Sequence, residues 1–186
     1  MNEVIRAILE RRSVRSYDGR IPEDDKVETI LECGKFAPSA MNRQPWHFTV
    51  IRDRELMDRI SAANKKMLIE SGDERSVAMA SEEGFDNFRG APMAIVVSGD
   101  ESNYYGMSDC AGAVENMALA AHSLGLANLY IASFMRALVL EENAELLAEL
   151  GLPKGYKPHF ALCLGYSKEE LGERAPRKEG SVNYIG

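Results

Sequence analysis

Two short polar runs hold most of the residues that could do chemistry. The first is Arg11-Arg12-Ser13-Val14-Arg15, three guanidinium groups and one hydroxyl within five residues. Arginine makes forked, charge-assisted hydrogen bonds and serine adds one more donor, so the run suits a dianionic phosphate. Its charge pattern alone also fits a solvated basic patch. The second run is Pro38-Ser39-Ala40-Met41-Asn42-Arg43-Gln44-Pro45-Trp46. Two prolines restrict the backbone while Ser, Asn and Gln present donors and acceptors. Such a loop suits an amphipathic heterocycle, and it also fits an ordinary capping loop.

Other chemistries find less support. His47, His122 and His159 form no HxxxH, HxH or CxxC-linked pattern, so no metal ligand is assigned. His122 reads as a packed residue of a central helix. Cys33 and Cys163 sit in apolar patterns, where cysteine behaves as a small hydrophobe. Ser39 lacks a GxSxG context, and neither a Walker loop nor GxGxxG occurs, so a Rossmann dinucleotide site is not indicated.

The elements that must position these runs follow from apolar spacing. Residues 2–11 read as a helix through the pairs Val4/Ile8 and Ile5/Leu9. A second helix opens near Pro22, with Glu23, Asp24 and Asp25 complementing its dipole, and ends before Pro38. Trp46–Ile51 is a predicted strand, and residues 54–69 an amphipathic helix with the stripe Leu56, Ile60, Ala63 and Met67. Residues 70–90 are acidic and predict a short helix in a mobile connection. Residues 93–97, MAIVV, predict a buried strand. Residues 109–124 form the central helix, with Asp109 as N-cap and Gly125 as C-cap. Leu126–Ser133 is strand-like, Glu141–Leu150 a short helix, and Phe160–Leu164 a last core strand. The order, roughly ααβα(α)βαβαβ, predicts a helix-covered sheet of about four strands. The closing Val182, Tyr184 and Ile185 fall outside the local core and suit pairing with a sheet edge of another subunit.

The 186 residues suit a single domain, 1–186, with 167–186 as a tail. Apolar residues make up 45%, enough for a core without staples. Lys plus Arg number 22 against 29 Asp plus Glu, a net charge of −7 that argues against a nucleic-acid binder. No apolar run approaches the ~20 residues of a membrane span. The start, MNEVIRAILERRS, shows no signal-peptide pattern. Three dispersed cysteines, Cys33, Cys110 and Cys163, point to reduced thiols in a cytoplasm.

Six segments, in order, resemble the FMN-dependent nitroreductase family. They are RRSVRSY, APSAMNRQPWHF, GAPMAIVV, DCAGAVENMALAAHSLGLANLYIASF, LGLPKGYKPHFALCLGY and APRKEGSVNYI. The resemblance spans nearly the whole chain. It implies an α+β fold: three-layer α/β/α, with a mixed, mainly antiparallel sheet extended by the partner's C-terminal strand. It also implies a homodimer with two FMN molecules at the interface. The cofactor contacts it implies are Arg11 and Ser13 on the phosphate, with Arg12 secondary, and Arg15 at the flavin pyrimidine edge. Pro38, Ser39, Ala40, Asn42 and Gln44 approach from the other subunit. The backbone amides of Ala132 and Ser133, where many members carry Gly, face flavin N5 and O4, and Arg177 closes on the phosphate. Asn64 and Lys65 are not assigned to the flavin.

The activity implied is ping-pong hydride transfer from NADH or NADPH, through flavin N5, to a nitroaromatic, a quinone or a similar small acceptor. The flavin carries the chemistry, so no catalytic acid or base is named. Two alternatives stay open. One is specialised flavin chemistry on the same fold, reductive dehalogenation or flavin breakdown; the other is a flavin-binding sensor without fast turnover.

Overall fold

A computed structural model describes all residues 1–186. Seven α-helices and four strands follow in chain order: α1 (Glu3–Glu10), α2 (Asp24–Lys35), β1 (Trp46–Ile51), α3 (Arg54–Glu70), α4 (Glu74–Ala80), β2 (Met93–Asp100), α5 (Gly106–Ser123), β3 (Ala127–Ile131), α6 (Met135–Leu138), α7 (Ala144–Ala148) and β4 (Tyr156–Gly165). Single 3-10 turns occupy Ala40–Asn42 and Glu141–Asn143.

The strands form one sheet in the order β1-β2-β4-β3, every neighbouring pair antiparallel. A parallel element is added by the isolated bridge between Ser13 and Asn128, at the β3 edge. Helices cover both faces, which gives the expected α+β sandwich of three layers. Ala94 and Val96 of β2, with Ala161 and Cys163 of β4, face α3 residues Met57 and Ile60 and the aromatic pair Phe88 and Phe134. Met93, Ile95 and Val97, with Phe160, Leu162 and Leu164, face Val27 and Ile30 of α2 and Val114, Met117 and Ala121 of α5. Coverage on both sides explains why MAIVV shows no alternation of apolar and polar residues. Each large side chain buried this way contributes roughly 1.5–3 kcal/mol of transfer free energy, so the two inner strands anchor the fold.

Local signals start several helices. Asn2 Oδ1 accepts from Ile5 N–H at 2.9 Å, and Asp53 Oδ1 accepts from Glu55 N–H at 2.9 Å. Asp73 caps α4, the short helix expected within 70–90. Other boundaries move. The central helix begins at Gly106, three residues before the expected cap: Asp109 lies within it, its N–H donating to the Tyr105 carbonyl at 2.9 Å. The last strand runs four residues earlier than expected, since a bulge at His159 absorbs the register change between Val97–Phe160 and Ser98–Pro158. Residues 141–150 split into a 3-10 turn and the short α7.

No helix is long and apolar enough to cross a membrane. Two apolar features stay uncovered. On α1, Val4, Ile5, Ile8 and Leu9 are all about half exposed or more. Residues 167–186 are exposed throughout and form no named strand, and Tyr184 and Ile185 are almost fully open.

Candidate functional site

The first polar run is fixed along the β3 edge. Helix α1 ends as Arg11 N–H reaches the Ala7 carbonyl at 2.9 Å, and the chain then extends. Val14 N–H donates to the Asn128 carbonyl at 2.9 Å. Buried Tyr17 donates from its hydroxyl to the Val14 carbonyl at 3.2 Å and bridges to Ser167. Gly165 makes this closure possible: a Cβ there would stand 2.8 Å from the Tyr17 ring and from Pro92. Burial pushes the Tyr17 phenol far above its ordinary pKa, with nearby Cys163 adding to the rise.

The three arginines of the run meet different surroundings. Arg11 is mostly buried. Its Nε lies 3.7 Å from Glu115 Oε1, and its Nη1 is buried with no acceptor at all. A buried guanidinium N–H without a partner is costly, and an anion delivered to it would repair the deficit. Arg12 is occupied by the tail, donating to the Gly172 carbonyl and, at 3.3 Å, to the Glu173 carbonyl. Arg174 completes the strap by donating to the Arg11 carbonyl at 3.1 Å. Arg15 is exposed.

Ala132 and Ser133 leave the far end of β3, on the same sheet edge, and both are exposed. The Ser133 hydroxyl accepts from Asn87 Nδ2 at 2.8 Å. Asn87 is in turn held by Asn64, whose Nδ2 donates to Asn87 Oδ1 at 3.1 Å, and by Ser61, whose Oγ accepts the Asn87 N–H at 3.1 Å. Beside them Asp86 accepts from Arg54 at 2.7 Å, from Gly90 N–H at 2.7 Å and from Ser61 Oγ at 2.9 Å. Burial would raise the Asp86 pKa, but Arg54 and the surrounding N–H groups overcome it and hold the carboxyl below its ordinary value. Sequence reading missed this cluster. Two signals were present: an amide, Asn64, one residue from Ala63 on an apolar helix face, and an Asp-Asn pair just before the Gly90–Pro92 turn into β2.

The second polar run sits at the opposite edge. Its backbone is left-handed at Met41, Asn42 and Gln44, with φ of 55°, 54° and 47°. Non-glycine residues enter that region rarely and at a cost, so the surroundings must hold them there. The Ala40 N–H donates to both carboxylate oxygens of Asp109 at 3.3 Å, which is where the expected helix cap is spent. Gln44 N–H donates to Ser39 Oγ at 3.0 Å, and Gln44 Nε2 to Asn42 Oδ1 at 3.1 Å. Pro38, Asn42 and Gln44 are exposed, and Ser39 and Ala40 partly so. Gln44 also lines an open depression of about 420 Å³ with Leu31, Lys35, Trp46, His47 and Phe48.

Arg11, Ser13, Ala132 and Ser133 therefore share the β3 edge, while Pro38–Gln44 leads into β1. The separation of Arg11 and Ser13 from the loop is diagonal, whereas Ala132 and Ser133 leave β3 at the same end of the sheet as Trp46. Ser13 adjoins Asn128, opposite Leu164 and hence Met93, whereas Trp46 lies opposite Gly99 at the other end of β2. Three strand spacings, roughly 14 Å, lie between the edges. One chain does not bring the two runs to one ligand. Arg177 lies in the exposed tail, three residues beyond the Arg174 that holds the Arg11 carbonyl.

Fold and site together define an α+β protein with an unsatisfied cationic donor on one sheet edge and a preset polar loop on the other. The chain belongs to the nitroreductase family, whose model matches residues 8–166. A solved nitroreductase with bound FMN from Bacteroides fragilis superimposes with a TM-score of 0.92 at 32% identity, covering 100% of both chains. A relative from Archaeoglobus fulgidus, provisionally named an NADH dehydrogenase/NAD(P)H nitroreductase, is 38% identical over 176 residues, covering 91% of this chain and 88% of its own. An FMN reductase [NAD(P)H] from Bacillus subtilis is 28% identical over 194 residues, covering 99% and 74%.

Proposed function

We propose that the protein is an FMN-dependent oxidoreductase that takes hydride from NADH or NADPH and delivers it to a small electron-poor acceptor of the nitroaromatic or quinone class. The observation that carries this reading is Arg11 Nη1, a buried donor without an acceptor on the edge that also presents Ala132 and Ser133. The FMN and NAD(P)H chemistry named in its relatives supports the assignment. The donors present fit the cofactor. Arg11 and Ser13 hold the phosphate dianion, with Arg12 in reserve behind the tail strap, and Arg177 closes over it. Arg15 places a fixed cation at the pyrimidine edge. The N–H groups of Ala132 and Ser133 orient the N5–O4 edge. Bound FMN supplies reversible hydride acceptance at N5, so no side chain is assigned as acid or base.

In this reading residues 1–186 form one domain, and the active molecule is a homodimer with two FMN sites. A second copy brings Pro38, Ser39, Ala40, Asn42 and Gln44 to the β3 edge of the first. The tail crosses to add a strand to the partner's sheet. Three features support the dimer: the diagonal separation of the two runs, the open apolar stripe of α1, and the uncovered Val182, Tyr184 and Ile185. Free Cys33, Cys110 and Cys163 suit a reducing cytoplasm.

The test combines FMN titration with analytical ultracentrifugation, followed by anaerobic reduction with NADH and NADPH separately and a panel of acceptors. The expected result is one FMN per chain in a particle of twice the chain mass, reduced by nicotinamide and reoxidised by quinone. Tight FMN binding to a monomer would overturn the dimeric site, and failure to bind FMN would overturn the whole reading.

A further inference from the structure

The buried amides Asn64 and Asn87 end on Ser133, a side chain whose backbone N–H alone has been given a task. We propose that Asn87 is a positioning residue that turns the Ser133 hydroxyl outward as a hydrogen-bond donor to the ligand at the Ala132–Ser133 turn, an inference that rests on the FMN reading above.

Direction in the relay sets the role. Asn64 is fully buried and Asn87 nearly so. Asn64 Nδ2 donates to Asn87 Oδ1, which leaves Asn87 Nδ2 to face Ser133 and donate to its Oγ. A hydroxyl that accepts on one side keeps its own proton for another partner. The Ser133 proton therefore points away from Asn87, into the open space at the turn where Ser133 is exposed. Asn87 cannot swing away to release it, because Ser61 Oγ holds its backbone N–H at 3.1 Å and Asp86, its neighbour, is tied to Arg54, Gly90 and Phe88. At the other end of the relay, Asn64 Oδ1 is buried without a donor. Leaving that atom unpaired in the interior is unfavourable, so packing alone does not account for the buried amide pair. An oriented donor at the turn gives the arrangement a purpose beyond packing.

A preset hydroxyl donor favours whichever state of the ligand carries more negative charge next to it. Hydride uptake turns N5 into an N–H and leaves a negative charge that is shared onto the flavin carbonyl oxygens, O4 among them, so a Ser133 donor to O4 should bind reduced FMN more tightly than oxidised FMN. Asn87 should act on that preference only through Ser133.

The experiment compares wild type, Ser133→Ala, Asn87→Ala and the double variant as purified holoproteins. The readouts are two-electron potential by spectroelectrochemistry and oxidised FMN affinity by fluorescence titration. Ser133→Ala should lower the reduced-to-oxidised affinity ratio about tenfold, which is ~30 mV for a two-electron couple. Asn87→Ala should produce a similar shift, and the double variant no more than either single, the mark of two residues acting as one unit. Ser133→Thr, which keeps the hydroxyl, should restore most of the potential. Wild-type FMN binding with an unchanged potential in Ser133→Ala overturns this inference and leaves the functional reading standing. Additive shifts in the double variant overturn the relay. Wild type that binds no FMN removes the functional reading itself. Should Asn87→Ala fail to fold, the exposed substitutions at Ser133 still decide the question.

Discussion

Arg11 and Arg15 lie four residues apart, yet their surroundings give them separable tasks. Arg11 keeps a buried Nη1 without a partner, whereas Arg15 is exposed. Replacing Arg11 with Gln removes a mostly buried charge whose Nη1 has no acceptor in the ligand-free protein and whose ion pair with Glu115 is long, at 3.7 Å. Arg11→Gln should therefore leave the thermal stability of the apoprotein unchanged or higher, while FMN affinity falls about 10- to 100-fold, the worth of a charged hydrogen bond. Arg15→Gln should cost less affinity and instead lower the two-electron potential by about 30 mV. Calorimetry of the apoproteins beside FMN isotherms and potentials separates the two roles; equal affinity losses would merge them. Asp86 gives a pH signature. Its folded pKa is depressed, so it contributes stability above the unfolded carboxylate value of roughly 3.9 and loses it as pH falls through the lower folded value. Thermal unfolding followed from about pH 6 to pH 3 should fall more steeply for wild type than for Asp86→Asn. Parallel curves would show that Asp86 contributes nothing differential. At this scale Arg11, Ser13 and Ser39 can be singled out as candidates from the sequence because each belongs to a run whose chemistry is local. Asn87 was not: its partners Ser61, Asn64 and Ser133 are brought to it only by tertiary packing.

Elements were read well where their signal was their own. The predicted strand Trp46–Ile51 matches β1, and the two-sided burial of β2 follows from its unbroken apolar run. Boundaries moved where a residue answered to a distant partner. Asp109 looked like a helix cap, but it caps the Ala40 turn instead, 69 residues away in sequence. The final strand looked short because a bulge at His159 breaks the alternation, and no local pattern announces a bulge. Burial lowers the His159 pKa, with nearby Lys157 adding to it, so the bulge favours the neutral imidazole. The loop between α2 and β1 invites a test. Met41 is left-handed and 73% exposed, so its side chain gives little in return for the backbone cost. Met41→Gly should stabilise the apoprotein by about 1 kcal/mol, the strain of a non-glycine residue in that region, or ~2–4 °C in Tm. A lower Tm would show that the Met41 side chain packs where it stands exposed here.

For the molecule as a whole, the strand order governs how a site can be put together. With β1 and β3 as outer strands, each chain presents Arg11 and Ser13 at one corner of the sheet and the Pro38–Gln44 loop at the opposite corner, with Ala132 and Ser133 at the other end of the β3 edge. In the proposed dimer, two identical chains related by a two-fold axis would convert that separation into two complete sites. The open stripe of α1 and the bare tail are then surfaces awaiting a neighbour, which is why amphipathic spacing alone identified α1 as a helix without revealing what it packs against.

The same geometry predicts rescue between defective copies. A chain carrying Arg11→Gln retains a sound loop, and a chain carrying Asn42→Ala retains a sound β3 edge. Each variant alone pairs a damaged half with a good one at both sites. Mixed by co-expression, half the dimers should be hybrids, each with one pocket built from two damaged halves and one built from two intact halves. About a quarter of all pockets would then regain wild-type FMN affinity, visible as a tight-binding fraction absent from either parent. Such recovery from two crippled alleles is a property of cells as well as of test tubes: a strain bearing both defective copies would regain activity that neither copy confers alone.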